Sequence, residues 1–523
     1  MLRKIRIVAA ALFFALITLL LLDFTGALHA WLGWMAKIQL LPAVLALNFG
    51  VIAFLVILTL LFGRVYCSVI CPLGVFQDIV SWLSGRRKGK KNRFTYKKEI
   101  KWLRYGLLGL FIILMVLGLN SIAILIAPYS AWGRIATNLL APLYGWCNNL
   151  FAAISQHYGS YAFYPTEVYI KSLPVFIVAA VTFIIVVVLA WRGGRTWCNT
   201  VCPVGTTLGL LSRFSLLRPV IDTDKCKNCK MCERKCKSSC IDIASHKIDY
   251  SRCVACFDCI DNCKFGALHY KLAYAKRSGA GDVSSSEHFS ASATKHQSGA
   301  KREIPDQVRD DGQVRDDGRR AFIAGVALVA GAITVEAKKK KLAEGVAVLQ
   351  DKQVPPRSVA PVPAGSISRK NFYSHCTACQ LCVSKCPNDV LRPSARLSTL
   401  MQPEMHFDKG YCRIECNACT EVCPTGAIRL VESMADKSAV QIGHAVVIPE
   451  NCVVNRDGVN CGNCARHCPV GAITMVEKEE GSKLRVPAVN AIHCLGCGAC
   501  EYHCPARPVS AIYIEGHEVH KER

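Results

Sequence analysis

No histidine falls within the long apolar stretches of this 523-residue chain, and no C-x-x-C-H occurs anywhere in it. The first absence removes the usual axial ligands for haem held inside a membrane bundle, and the second removes covalently attached c-type haem. Also missing are a G-x-G-x-x-G following a strand, a Walker motif and a G-x-S-x-G nucleophile elbow. Dinucleotide binding, P-loop phosphate chemistry and serine hydrolysis therefore have no footing here. Acidic residues are scarce as well: 38 Asp and Glu stand against 63 Lys and Arg, a formal charge of +25.

What is present is divided unevenly. Apolar residues concentrate in 1–191, whereas most of the 30 cysteines lie after residue 226, so a membrane module precedes cysteine-rich soluble modules. Four apolar stretches, 5–22, 41–62, 105–127 and 172–191, approach the roughly 20 residues that cross a hydrocarbon core. Arg3, Lys4 and Arg6 flank the first, and the loop "RRKGKKNRFTYKKEIKWLR" between the second and third carries ten positive residues. Residues 23–40 have only Lys37, and 128–171 only Arg134 and Lys171. The positive-inside rule then places the N-terminus, the basic loop and residues 192–318 in the cytoplasm. Asp23, at the end of the first span, reads as an interfacial residue in contact with water, or else one within reach of a quinol.

A motif is duplicated at the cytoplasmic ends of the second and fourth spans. "GRVYCSVICPLG" and "GRTWCNTVCPVG" both fit Gly-Arg-x-aromatic-Cys-x3-Cys-Pro-x-Gly. Cysteines four apart share a helix face, and proline and glycine then turn the chain. Two hairpins can thus bring Cys67, Cys71, Cys198 and Cys202 together. Four such thiols suit a metal or cluster, or redox-active pairs; a duplicated structural turn with packed cysteines is the plainer alternative.

From Cys226 onward the spacing becomes specific. In C-x2-C-x2-C-x3-C, three thiolates wrap one cubane cluster and the fourth goes to a partner cluster. "CKNCKMCERKC" and "CVACFDCIDNC" then give Cys226, Cys229, Cys232 with Cys263, and Cys253, Cys256, Cys259 with Cys236. Lysine follows Cys236 and Cys263 where proline is usual, and Cys240 is left over. The next pair of motifs gives Cys376, Cys379, Cys382 with Cys423, and Cys412, Cys416, Cys419 with Cys386; one extra residue separates Cys412 from Cys416. The last pair gives Cys452, Cys461, Cys464 with Cys504, and Cys494, Cys497, Cys500 with Cys468; eight residues separate Cys452 from Cys461. Structural zinc also takes four thiolates, but from separated C-x2-C pairs rather than repeated triads with a distal C-P. Six [4Fe–4S] clusters are the expectation. At about −2 per four-cysteine site they lower the net charge to about +13, and no nucleic-acid partner is read from it.

Between the cysteine modules, residues 276–318 are polar and repeat "QVRDDG" in tandem, at 307–312 and 313–318. A twin arginine, Arg319 and Arg320, opens a weakly apolar run through Val335, then Val335-Glu336-Ala337 and four lysines. Residues 319–337 read as an internal twin-arginine export signal or, alternatively, a fifth helix that leaves the C-terminal half inside.

Residues 1–270 resemble NapH, the membrane ferredoxin-type subunit of periplasmic nitrate reductase systems, through the spans, the two C-x3-C-P motifs and the cytoplasmic cluster pair. Residues 316–515 resemble its exported partner NapG, through "PAGSISRKNFYSHCTACQLCVSKCPNDVL" and "CPTGAI". The resemblance implies a fused quinol dehydrogenase component at the bacterial inner membrane. It would oxidise menaquinol or ubiquinol and pass electrons to a periplasmic reductase or carrier, with residues 338–523 periplasmic. An accessory polyferredoxin supplying electrons for metalloenzyme maturation, without quinol turnover, is the alternative. The expected architecture is an α-helical four-span membrane module, 1–215, followed by α+β bacterial-type ferredoxin domains at 216–275, 371–433 and 434–518. A linker at 276–318, the signal or fifth helix at 319–337 and a second linker at 338–370 separate the first of these from the others.

Overall fold

The computed structural model describes residues 1–23, 27–86, 94–160, 163–273 and 351–523. The expected linker at 276–318 and the export signal or fifth helix at 319–337 lie outside them. All but Asp351 of the described residues belong to one compact unit, Met1–Ala275 with Lys352–Arg523.

Two of the four expected spans are single helices, Leu2–Leu22 and Leu173–Gly193, each long and apolar enough to cross a membrane. At 1.5 Å per residue, 21 residues reach about 31 Å, the thickness of the hydrocarbon core. The other two stretches are interrupted. Residues 41–62 form Leu40–Leu45 and Phe49–Phe62, separated by left-handed Leu47 (φ 51°) and by Asn48, whose side chain accepts from Val51 N and so starts a new helix. Residues 105–127 form Lys101–Val116 and Asn120–Ala123, parted at Gly118 (φ 75°), where Leu119 N donates to Leu114 O at 2.9 Å. The weakly charged stretch 128–171 is itself largely helical, with Pro128–Ile135 and Ala141–His157 joined by a π-helical turn. Trp132 sits at the centre of the packing, its ring centroid 4.9 Å from Phe14 and 5.1 Å from Phe76, with Phe76 in turn 5.5 Å from Phe183. Those four rings tie Leu2–Leu22, Pro72–Gly85, Pro128–Ile135 and Leu173–Gly193 together.

Each cysteine module is small, with short helices and two-stranded antiparallel sheets. Leu217–Ile221 pairs with Leu268–Leu272 in the first, Leu391–Pro393 with Pro403–Met405 in the second, and Ile473–Glu477 with Arg485–Val489 in the third. Val440–Val447 pairs with the C-terminal strand Ile512–Glu522.

These modules attach to opposite ends of the two long helices. At one end Arg3 bonds Asp258 (2.8 Å) and Asp261 (2.7 Å), and Lys237 reaches Asp258 (3.0 Å). Gly194, just past Leu173–Gly193, lies against the carbonyl of Lys237. At the other end Lys171, just before that helix, pairs with Asp389 (2.9 Å), and Asn138 donates to Gln380 Oε1 (2.8 Å). A Cβ on Gly133 would stand 2.3 Å from the carbonyl oxygen of Cys379, so only glycine permits that approach. Residues 226–263 and 376–504 are thus separated by the length of the helices.

Asp78, on Pro72–Gly85, anchors the first end. It accepts two bonds of 2.8 Å from Arg195, one of 2.8 Å from Arg6, and a longer contact of 3.6 Å from Lys237. Burial alone would raise its carboxyl, but Arg195, Lys237 and Arg6 outweigh it and hold the group far below the ordinary range. Replacing Asp78 by Ala strands the buried Arg6 and Arg195 and leaves Lys237 with Asp258 alone, and breaking a buried pair typically costs about 3–5 kcal/mol. We expect Asp78→Ala to lower the unfolding temperature of the detergent-solubilised protein markedly while Asp222→Ala, whose carboxylate makes only surface contacts, to Lys225 (3.9 Å) and Asp224 N (3.2 Å), leaves it nearly unchanged. Equal thermal traces for the two variants would contradict the assignment.

Candidate iron–sulfur sites

Four cavities are each lined by four of the cysteines that the spacing groups. One holds Cys226, Cys229, Cys232 and Cys263; a second Cys236, Cys253, Cys256 and Cys259; a third Cys386, Cys412, Cys416 and Cys419; a fourth Cys452, Cys461, Cys464 and Cys504. Their empty volumes run only from 360 to 440 Å³, which fits one kind of occupant. In the remaining two groups the thiols neighbour one another: Cys376 and Cys379 with Cys423, and Cys494 and Cys497 with Cys468. Cys240 also borders the second cavity, its sulfur 3.5 Å from that of Cys236, so five thiols meet there. No three His, Cys, Asp or Glu side chains among the described residues are spaced to hold a single metal ion.

The loops carry strain that a bound cluster accounts for. Within the triads alternate residues take left-handed backbone: Asn228 and Lys230, Ala255 and Phe257, Ala378 and Gln380, at φ between 48° and 62°. A non-glycine residue there costs on the order of 1 kcal/mol or more and persists only where the surroundings over-determine it. In the last module Gly462, Gly496 and Gly498 occupy the equivalent places, where the conformation is nearly free. Burial raises several of the thiols, Cys232 and Cys464 each to about 11, whereas hydrogen bonds with Cys240 lower Cys236 and Cys253. Backbone N–H groups point at the distal sulfurs: Ala267 at Cys263 (3.3 Å), Ile428 at Cys423 (3.4 Å), Ala472 at Cys468 (3.2 Å) and Ala511 at Cys504 (3.3 Å). Such donors favour a thiolate bound to iron and tune its potential.

The departures from regular spacing have local explanations. Lys237, where proline is usual, is the residue that bridges Asp78 and Asp258. The longer loop from Cys412 to Cys416 is held by Lys437, whose ammonium donates to the carbonyls of Arg413 and Cys416. Cys412 N donates to Cys497 O (2.9 Å), so the second and third modules abut through their ligand loops.

The duplicated motif converges as well. Cys67, Cys71, Cys198 and Cys202 are buried neighbours. Pro72 and Pro203 do more than turn the chain: each occupies the first turn of a new helix, Pro72–Gly85 and Pro203–Ser212. The arginines of the motif, which spacing alone gives no role, cross over between copies. Arg195 donates to Cys67 O (2.6 Å), and Arg64 donates to Cys198 O (3.2 Å) and lies 3.8 Å from Cys67 Sγ. Gly74 and Gly205 make room: a Cβ on either would meet the Cys67 or Cys198 carbonyl at 2.3 or 2.2 Å. Gln77 Nε2 lies 3.2 Å from Cys198 Sγ, and Gly205 N 3.3 Å from Cys202 Sγ.

Arg64 is completely buried, yet among the described residues no carboxylate pairs with it; its partners are Asn199, the carbonyls of Ser251 and Cys198, and sulfur. Arg134, likewise buried, donates among the described residues only to the carbonyls of Ile124 and Leu125, with the Cys379 thiol close by. An unpaired buried cation costs several kcal/mol. The thiols of the quartet and Cys379 are the groups beside these arginines that would become anionic on binding a metal. Asp23, by contrast, is buried at the end of the first helix and accepts from Leu28 N at 3.0 Å.

Two family models match. One described as a 4Fe-4S binding domain covers 44–91 and 175–221, the two C-x3-C-P segments, and one described as a 4Fe-4S dicluster domain covers 375–427 and 459–507. These matches indicate [4Fe–4S] clusters. Among curated relatives, the uncharacterized protein MJ0750 of Methanocaldococcus jannaschii is 26% identical over 53% of this chain and 98% of its own length. The methylamine utilization ferredoxin-type protein MauN of Methylobacillus flagellatus is 24% identical over 41% of the chain and 64% of its own length. The ferredoxin-type protein NapH of Haemophilus influenzae is 28% identical over 38% and 60%. The chain thus spans less than two thirds of the length of the last two. No solved structure matches it.

The strain predicts an order of failure. When iron is removed by a chelator under reducing conditions, hydrogen exchange should rise first in 226–263 and 376–382, whose loops use non-glycine left-handed residues, and later in 494–500. Simultaneous loss, or the reverse order, would contradict the link between strain and cluster.

Proposed function

We propose, from the premise that the chain is a NapH-like polyferredoxin, that it oxidises quinol in the membrane and passes electrons through [4Fe–4S] clusters to a periplasmic reductase. The observation that carries this is the attachment of two cysteine-rich bodies to opposite ends of the long apolar helices, with the C-x3-C-P quartet between them. The basic loop and the N-terminus share an end with 226–263. The positive-inside rule makes that end cytoplasmic and the end bearing 352–523 periplasmic. Twin-arginine export of the second half and the likeness of 316–515 to NapG belong to the same reading.

The residues form an ordered series. Cys226, Cys229, Cys232 and Cys263 hold the outermost cytoplasmic cluster, and Cys253, Cys256, Cys259 and Cys236 the next. Arg64 and Asn199 connect that body to the quartet through Ser251 O (3.1 Å) and Ser238 O (3.4 Å). Phe76 and Trp132 lead from the quartet towards Cys379. Beyond it come the sets containing Cys386, Cys468 and Cys504. Six clusters in the ferredoxin modules, and a redox centre on the quartet, make one path across four spans; the chain's own part is to fix the ligands, exclude water and supply N–H donors.

Two measurements test the reading. A tag after Arg523 should be digested by protease in intact spheroplasts, and only while twin-arginine export is active. Adding a quinol analogue to the purified protein in nanodiscs should reduce its clusters, seen as loss of visible absorbance and gain of electron paramagnetic resonance signals. Protection of the tag until lysis, with clusters that quinol leaves oxidised, would favour a cytoplasmic electron relay instead.

A further inference from the structure

The largest of the described cavities contains no complete cysteine set. It lies where the C-terminal end of Leu2–Leu22 meets 137–148, 166–171 and the second cysteine module, and its empty volume of about 1600 Å³ is some four times that of each cysteine cavity. Leu22, Tyr144, Glu167, Lys171, Gln380 and Cys386 are among its walls. Apolar surface with a few convergent polar groups is the usual character of a small-molecule site. Beside it, on Ala141–His157, Leu143, Leu150 and Phe151 are exposed, an apolar path from the cavity along a helix at the module's surface.

We infer that this cavity is the quinol site, with the ring between Tyr144, Glu167 and Gln380 and the isoprenoid tail along Ala141–His157. The inference rests on the quinol reading above and gives it a place. Three observations converge on it. The cavity touches the end of a helix long enough to span the bilayer, where a lipid-soluble ring can enter from the membrane interface. One wall is Cys386, grouped with Cys412, Cys416 and Cys419, so an electron acceptor adjoins the ring. And Gln380 is all but completely buried; its Oε1 accepts from Thr137 (2.6 Å) and Asn138 (2.8 Å), which orients the amide, while its Nε2 has no protein partner and can donate to a quinol oxygen.

Quinol loses two electrons and two protons to become quinone, both O–H bonds breaking. The protons go to the carboxylates of Glu167 and Asp389 and then to solvent on the side that carries 352–523. An oxidised [4Fe–4S] centre held by Cys386, Cys412, Cys416 and Cys419 would take the two electrons one at a time, and the contact of Cys412 with Cys497 places the next cysteine set beside it. Lys171, which pairs with Asp389 at 2.9 Å and donates to Val383 O at 3.0 Å, fixes the module against the mouth of the cavity.

The test is photolabelling of the full-length, cluster-loaded protein in nanodiscs with an azidoquinone, followed by peptide mapping. Label is expected within 137–148 and 166–171 and should be displaced by unlabelled quinone. Ala141→Trp, which fills the cavity, should lower labelling at least tenfold while iron content and the resonance signals after dithionite reduction stay unchanged. Glu167→Gln, which keeps the shape, should still label but slow quinol-driven cluster reduction at least tenfold. Label confined to other segments, or undiminished in Ala141→Trp, overturns this location and leaves quinol oxidation standing. No displaceable label anywhere, with clusters that quinol does not reduce, overturns both.

Discussion

The exchange of two arginines between two copies of one motif is the constraint on which the rest of the molecule depends. Arg64 reaches the carbonyl of Cys198 and Arg195 that of Cys67, so neither hairpin is complete without the other. Each guanidinium is fully buried. Arg195 is neutralised by Asp78, whereas Arg64 faces sulfur and amide groups. A buried cation is tolerated where opposite charge lies close by, and the quartet thiols would provide it on binding a metal as thiolates. The same two residues carry the attachment of the first cysteine module, the Arg64 guanidinium donating to Ser251 O and the Arg195 backbone N–H to Lys237 O. Electrostatics at the quartet and placement of the nearest ferredoxin module are therefore one arrangement.

The opposite end is built differently. There the second cysteine module is seated by close backbone approach, Gly133 against Cys379, and by amide contacts such as Asn138 with Gln380. Arg134 again lies buried beside thiols without a carboxylate. Both attachments place a cation next to sulfur that iron would render anionic. Beyond them the ligand loops succeed one another through direct contacts, of which the bond between Cys412 and Cys497 is the clearest. That contact sets the ligand loops of the second and third modules side by side.

Much of this was legible in the sequence, for identifiable reasons. Cysteine triads with a distal fourth thiol group themselves by spacing alone, because the loop can close on one core only in that way. The two uninterrupted helices are equally plain from length and apolarity. The breaks at Asn48 and Gly118 had visible signals, a strong N-cap and a left-handed glycine, but a run of apolar residues masks them. What spacing could not supply was the relation between distant segments. The crossing of Arg64 and Arg195 depends on how two hairpins pack, and the role of Lys237 in place of proline appears only once Asp78 and Asp258 lie beside it. Nor could spacing show that 128–171, with its few charges, forms the seat of the second cysteine module.

The most direct measurement asks whether electrons cross the protein through the quartet. Oriented in sealed vesicles, the protein would receive a membrane-impermeant reductant on the side bearing 226–263, and the clusters of 376–504 would be followed by electron paramagnetic resonance. The account predicts that they become reduced in the native protein and stay oxidised in the Cys67→Ser, Cys198→Ser variant with its six ferredoxin-type sets intact. Equal reduction in both, or none in the native protein, would contradict it.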